Sequence, residues 1–262
     1  MRIIAEVGSN WHSLDDCFHS IEMAKKCGAD VVKFQLFNPI EMYGEADVYV
    51  PGYSPNLNAT WISPLAIKCD ESEIEFMCTA FSPSGYEIVN QYVETHKIAS
   101  AEITDENILR KVNSFKKPVY LSTGGAVISQ IERALHLLKD CRVTIMYCVT
   151  AYPARIVDFR HLEQLREAFG NGYTYGYSDH STDVLNIPRL AQWHNATVIE
   201  KHVNFTSHTD TDDAPHSLNA KEFALMVKKL VGDDIPLKDT FMPCTWQRRF
   251  TGEGYYRPKA DV

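Results

Sequence analysis

Tyr173-Thr-Tyr-Gly-Tyr-Ser-Asp-His180, followed one helix-like segment later by Thr197-Val-Ile-Glu-Lys-His202, is the stretch that decides the fold. Each run is short, strand-like and closed by a histidine. Two parallel strands joined by a crossover helix end at the same edge of a sheet, so both imidazoles arrive there together. The same alternation extends through the chain. Strands are predicted at 2–7, 30–36, 75–80, 96–100, 119–122, 142–148, 174–178 and 197–202. Helical spacing of apolar residues marks 14–27, 62–69, 83–93, 105–115, 128–138, 158–169, 183–193 and 220–231. Eight βα units in 262 residues predict an α/β fold, a (β/α)8 TIM barrel over 1–232 with a C-terminal tail at 233–262. An open doubly wound sheet would want a glycine-rich turn after its first strand. Here that turn is Gly8-Ser-Asn-Trp-His12, without G-x-G-x-x-G. The region 38–60, rich in Pro, Gly, Asn and Tyr, reads as a long loop and a candidate lid.

Composition narrows the function classes. A net charge of −8 argues against general binding to nucleic acid or to an anionic membrane. The seven cysteines show no C-x-x-C spacing and read as reduced thiols. Met1 leads directly into a strand carrying Glu6, and no apolar run approaches spanning length, so a cytoplasmic protein without signal peptide or membrane segment is expected.

Barrel active sites lie at the C-terminal ends of the strands. The predicted strand ends present Glu6, Lys33, Gln35, Thr79, Lys97, Ser100, Glu102, Ser122, Thr150, Tyr152, Ser178, His180, Glu200 and His202. Inward barrel positions are ordinarily apolar. Lys33 and Lys97 among hydroxyls make a basin for a phosphate and a carboxylate. His180 and His202, with a carboxylate, suit a divalent metal such as Mn²⁺ or Mg²⁺ with open positions. Blander readings stand beside these. Glu200 fits an orienting partner of His202, and Lys201 alternates outward, toward a salt bridge. Ser122 and Thr123 before Gly124-Gly125 fit either a phosphate contact or a plain turn. The remaining histidines, His96, His208 and His216 among them, read as mainly surface residues.

The strings at these strand ends resemble the sialic acid synthase family. They are Ile3-Ile-Ala-Glu-Val-Gly-Ser-Asn10, Gly28-Ala-Asp-Val-Val-Lys-Phe-Gln35, Cys78-Thr-Ala-Phe-Ser82 and Lys97-Ile-Ala-Ser-Ala-Glu102. Lys117-Pro-Val-Tyr-Leu-Ser-Thr-Gly124, Tyr147-Cys-Val-Thr-Ala-Tyr-Pro153, Gly176-Tyr-Ser-Asp-His180 and Val198-Ile-Glu-Lys-His202 continue the series. The resemblance implies a metal-dependent condensation of phosphoenolpyruvate with an N-acylated amino sugar, such as N-acetylmannosamine, to a nonulosonic acid. It implies Glu6 and Glu102 as catalytic carboxylates and His180 and His202 as metal ligands. Lys33, Thr79, Lys97, Ser100, Ser122 and Ser178 would hold phosphoenolpyruvate. Gln35, Tyr152 and Asp213 would face the sugar, with Thr150 beside them where the family commonly has Ser or Asn. Departures fall on the sugar side: Trp11-His12 after the first strand, and Asp212-Asp-Ala-Pro-His216 in the loop after the eighth. The resemblance covers the barrel and not the family's C-terminal antifreeze-like domain, so any homo-oligomer is expected to form without the family's usual domain swap.

Two rival functions use the same residues. A Schiff-base aldolase would employ Lys33, Lys97 or Lys201 as nucleophile and need no metal. A non-catalytic relative would bind ligand or partner without turnover.

Overall fold

The computed structural model describes residues 1–37 and 57–232, and within them eight parallel strands close into a barrel in sequence order. The strands are β1 (Arg2–Gly8), β2 (Val31–Leu36), β3 (Glu75–Ala80), β4 (His96–Ile98), β5 (Val119–Ser122), β6 (Val143–Cys148), β7 (Thr174–Asp179) and β8 (Val198–His202). The helices are α1 (Leu14–Lys26), α2 (Ile62–Glu71), α3 (Pro83–Val89), α4 (Glu106–Phe115), α5 (Ile128–Leu137), α6 (Arg160–Phe169), α7 (Asn186–Trp193) and α8 (Ala220–Val231). The predicted lid lies mostly outside the described residues, and the predicted tail wholly so.

Strand parity sorts the side chains. One face of each strand packs on the helices in a continuous apolar shell that includes Ile3, Val32, Phe34, Tyr86, Leu121, Tyr177 and Ile199. The other face fills the barrel. Its middle layer is a separate apolar plug of Ile4, Val31, Met77, Tyr120, Met146 and Val198. Each such fully buried side chain contributes roughly 1.5–3 kcal/mol. Two positions further along the same strands, the interior turns polar. Glu6, Lys33, Thr79, Lys97, Ser122, Ser178 and Glu200 are all nearly inaccessible to solvent. The plug therefore forms the floor of the polar layer and closes the barrel below it.

The strand expected at 96–100 is shorter than predicted. β4 ends at Ile98, and Ser100–Glu102 forms a 3₁₀ turn instead. β4 meets β3 at only one register pair, Thr79 with Lys97. The capped helices start where their caps dictate. The Ser13 hydroxyl accepts from Asp16 N and closes a capping box on α1, and Asn219 does the same for α8.

Two histidines expected at the surface are buried. His96, on β4 with its ring turned outward from the barrel, stacks on Phe115 of α4 and bonds the Asn90 side chain through Nε2. His216 is buried in the loop after β8. Sequence alternation had put Lys201 in an outward salt bridge, and it makes one, but fully buried. Its ammonium donates to Asp179 Oδ2 at 2.7 Å, to Ser181 O at 2.6 Å and to Asp183 O at 3.1 Å. That knot anchors the segment carrying His180.

Candidate active site at the barrel mouth

Register brings the polar layer together. Glu6 pairs with Lys33 on one side and with His202 on the other. The Lys33 ammonium stands 3.0 Å from Glu6 Oε2 and 3.5 Å from Glu200 Oε2, and donates to Thr79 Oγ1 at 3.1 Å. Lys97 donates to Ser122 Oγ at 2.7 Å and lies 3.7 Å from Glu200 Oε1. Ser178 donates to that same oxygen at 3.0 Å, and Gln35 donates to Glu6 Oε1 at 2.6 Å. Glu200 thus bridges both lysines. Its parity with His202 was readable in the sequence, but its central place between the lysines was not.

The two carboxylates are electrically unequal. Burial raises the pKa of Glu6 to about 7, with Lys33 opposing and the charge of Glu200 reinforcing the rise. Burial also opposes charge on Glu200, yet Lys33, Lys97 and His202 outweigh it and hold that carboxyl well below its usual range. Burial alone would discharge Lys33, but Glu200 and Glu6 keep it cationic. Lys97 is pushed down by burial despite Glu200. A site with one fixed anion and one protonatable carboxyl is arranged for proton handling.

Above this layer the histidines gather. His180 Nδ1 donates to Val149 O at 2.6 Å, which leaves Nε2 unprotonated, 3.2 Å from the Tyr152 hydroxyl. The Tyr152 ring stacks on His180 with centroids 4.1 Å apart. His180 and His202 have centroids 5.7 Å apart. His216 approaches His202 more closely, at 4.7 Å. His216 Nε2 is 3.1 Å from Asp213 Oδ1, and His202 Nδ1 is 3.9 Å from it. Burial keeps His202 neutral, lowering its pKa to about 3, and does the same to His180 at about 4. Burial resists charge on Asp213, but its coupling to the His202 and His216 rings, with hydrogen bonds from His216 and Ser9, holds its pKa well below the usual carboxylate range.

Asp213 is itself locked to the loop after β1. Its Oδ2 accepts from Ser9 N at 2.7 Å and Ser9 Oγ at 2.9 Å. Gly8 has φ +58, and a Cβ there would overlap Asp213 Oδ2. Only glycine fits both demands. Asn10 completes the seam, accepting from Thr211 Oγ1 at 2.6 Å and donating to Ser217 Oγ at 2.7 Å and Val203 O at 2.9 Å.

The other predicted residues are placed as follows. Ser100 Oγ accepts from Gly124 N at 3.0 Å and lies 3.0 Å from Cys148 Sγ, next to the Lys97–Ser122 pair. Thr150 is exposed, with its methyl group against Gly124. Glu102 is buried in the turn after β4, where its charge opposes ionisation of Tyr86. His216 was missed as a site residue. Its signal was the Asp-x-x-His spacing from Asp213, which one helical turn brings to one side.

Glu6 Oε2 and Glu200 Oε2 meet the Lys33 ammonium and His216 Nε2 meets Asp213, whereas His202 Nδ1 is buried without a hydrogen bond. A buried polar atom left this way calls for a ligand or ion. His202, Asp213 and His216 each offer a donor atom within 4.8 Å of the other two. Two imidazoles and a carboxylate fit a divalent metal; His180, predicted as a ligand, is not one of the three, and its Nε2 lies 3.2 Å from the Tyr152 hydroxyl.

Comparisons with known proteins agree with this architecture. A solved N-acetylneuraminic acid synthetase from Leptospira borgpetersenii superposes with a TM-score of 0.81 at 28% identity, covering 87% of this chain and 81% of that one. The spore coat polysaccharide biosynthesis protein SpsE of Bacillus subtilis is 30% identical over 255 residues, 90% of this chain and 68% of the relative. The N,N'-diacetyllegionaminic acid synthase of Campylobacter jejuni is 30% identical over 263 residues, 89% of this chain and 78% of the relative. The NeuB family profile matches residues 20–233, most of the barrel, and the chain belongs to that family.

Proposed function

We propose that this protein condenses phosphoenolpyruvate with the open-chain aldehyde of an N-acylated amino sugar, releasing phosphate and forming a nonulosonic acid. One observation carries the reading. A buried pair of lysines ringed by hydroxyls adjoins a histidine–carboxylate cluster at the same barrel mouth. That juxtaposition supplies an anion site beside a cation site. The synthase names of the relatives support the reaction class.

Lys33, Lys97, Thr79, Ser122, Ser100 and Ser178 would receive the phosphate and carboxylate of phosphoenolpyruvate, exchanging contacts with Glu6 and Glu200 for contacts with the substrate. His202, Asp213 and His216, with His180 opposite, would hold the divalent metal. When bound, the metal polarises the aldehyde carbonyl as a Lewis acid. The enol carbon of phosphoenolpyruvate attacks the aldehyde carbon, a C–C bond forms, and the carbonyl π pair moves to the aldehyde oxygen, which becomes a hydroxyl by taking one of the two protons that the added water brings. Water then adds to the neighbouring cationic carbon, and the tetrahedral adduct expels phosphate by C–O cleavage. Glu6, with its raised pKa, takes the proton of the attacking water. Glu200 stays anionic and stabilises the cationic carbon through space. Glu102 would act on the sugar side, and Gln35 and Tyr152 would position the sugar. Ser9 holds Asp213 and Asn10 holds Thr211 and Ser217 of the same loop, so the sugar-side loops enter the reaction already ordered.

The test is phosphate release from phosphoenolpyruvate with Mn²⁺, screened over N-acetylmannosamine and related amino sugars. Release that depends on one sugar, and falls by at least about 100-fold in Glu6→Gln, is expected. No release with any sugar, with unchanged phosphoenolpyruvate binding in Lys33→Met and Lys97→Met, overturns the proposal.

A further inference from the structure

A second cluster of metal-ligating side chains lies outside the barrel mouth, on the outer edge of the seam between the loops after β1 and β8. His12 and His208 stack with ring centroids 3.9 Å apart and planes 20° from parallel. His12 Nε2 is 3.3 Å from Asp210 Oδ1. His208 Nε2 is 3.3 Å from Asp16 Oδ2. His12, His208 and Asp210 each offer a donor atom within 4.8 Å of the other two. We propose that these three residues form a peripheral site for a zinc-like divalent cation, clasping the loop after β1 to the loop after β8.

Three features carry this assignment. The first is preorganisation. Donors distant in sequence meet because their loops are already joined beneath them by Ser9–Asp213 and Asn10–Thr211. A cation there therefore orders little new chain, and little of its binding free energy is lost to loop entropy. Ligand atoms around a zinc-sized ion stand about 3.4 Å apart, so small side-chain rotations close the cluster. The second is division of labour between the carboxylates. Asp16 Oδ2 already accepts from His12 N at 3.0 Å, Ser13 N at 2.9 Å and Ser13 Oγ at 2.9 Å as the α1 capping residue. It is a fixed orienting partner for His208, the role outer carboxylates play behind metal-bound imidazoles. Asp210, with its side chain largely exposed, is free to swing onto a cation. The third is donor chemistry. Two imidazoles and one carboxylate favour Zn²⁺, Co²⁺ or Ni²⁺ over Mg²⁺ or Mn²⁺. The inner cluster has the same donor set, so the variants below and not the choice of ion separate the two, and the outer site does not depend on the reaction proposed above.

The experiment uses the chelator-stripped 262-residue protein and Zn²⁺, titrated against a chromogenic chelator, with thermal unfolding in parallel. His12→Ala, His208→Ala and Asp210→Asn carry the outer arm, and His216→Ala carries the inner one. The outer variants should each lose one equivalent of Zn²⁺ relative to wild type. At Zn²⁺ about 100-fold above the wild-type Kd, they should also lose the part of the Zn²⁺-induced Tm rise that outer-site binding supplies. His216→Ala should retain that equivalent. The difference between wild type and outer variants is the same whether or not the inner cluster binds metal, so failure of one reading is separable from failure of the other. Unchanged Zn²⁺ stoichiometry and affinity in the outer variants overturn the proposal. Asp210→Asn, nearly isosteric and exposed, decides the matter should either alanine variant fail to fold.

Discussion

The charged layer inside the barrel and the loop seam above it are held in place by different means, and the seam is the less buried of the two. Glu6, Lys33, Lys97 and Glu200 stand on strands, and their positions follow from register and parity. Asp213, His216, His12 and His208 stand on loops, and their positions follow from how two loops happen to bond. Strand-borne charges are locked by the whole sheet, so disturbing one should cost folding. Loop-borne groups are locked by a few hydrogen bonds, so disturbing one should cost binding first.

The sharpest way to break that distinction is Lys33→Met. It leaves Glu6 and Glu200 facing each other with no ammonium between them. Removing one partner of a buried ion pair costs about 3–5 kcal/mol, and denaturant unfolding at pH 7.5 should show a loss of that size. The sign of its pH dependence is fixed. Glu6 already has a raised pKa, and losing Lys33 raises it further. A carboxyl raised in the fold contributes stability at low pH and loses it as pH rises through its folded value. The variant should therefore recover part of its loss between pH 7.5 and 5.5. Wild-type stability in the variant would mean that the strand layer is no more coupled to folding than the seam.

His96 offers a second comparison within the strands, since it faces the helices where Lys97 faces the barrel. Burial, aided by Lys117, lowers its pKa to about 4. A histidine held neutral in the fold contributes its full stability above about 6.5, and loses it as pH falls toward its folded pKa. The shift corresponds to at most roughly 3–4 kcal/mol. Comparing the pH dependence of unfolding in wild type and His96→Leu between pH 7 and 4.5 isolates this residue from His180 and His202, which titrate in the same direction. Parallel curves would remove His96 as a source of acid sensitivity.

Gly8→Ala moves the comparison to the seam. The φ of +58 penalises any side chain, and the new methyl displaces Asp213. A stability loss of roughly 1–2 kcal/mol is expected from the backbone alone. The larger consequence should be local: amide exchange across 203–217 accelerates while the barrel strands stay protected. Uniform acceleration throughout the barrel would show that the seam and the strand layer form one cooperative unit.

The same division explains what the sequence disclosed. Alternation placed Lys33, Thr79, Lys97, Ser178, Glu200 and His202 inside the barrel because a strand's side-chain period is two. It also turned Lys201 outward, where it is found. Eight alternating segments were enough for the barrel; the boundaries erred at β4, where Ser100 enters a 3₁₀ turn, at α3, which ends at Val89 rather than at 93, and at α7, which starts at Asn186 rather than at 183. Burial of His96 was not legible, since alternation gives the face of a strand and not the depth of the helix packed on it. The seam was legible only in fragments. No periodicity announces that Asp213 will reach Ser9 across the barrel mouth, so His216 read as a surface residue until the loop's path was known.

Ser13→Ala tests how far the seam depends on the helix beneath it. Ser13 accepts from Asp16 N and its hydroxyl donates to Asp16 Oδ2, closing the box that starts α1. The side chains are exposed, so the loss should be near the usual value for an N-cap, about 1 kcal/mol in denaturant unfolding. Asp16 keeps two backbone donors, His12 N and Ser13 N, and so keeps facing His208. Zn²⁺ uptake at the outer cluster should therefore fall by no more than about threefold. The barrel mouth, tied through Ser9 and Asn10 rather than through the cap, should leave the proposed phosphoenolpyruvate binding unchanged. A variant that keeps its stability but loses ligand binding would reverse the expectation, and would make the α1 cap, rather than the Asp213 bonds, the element that sets the seam.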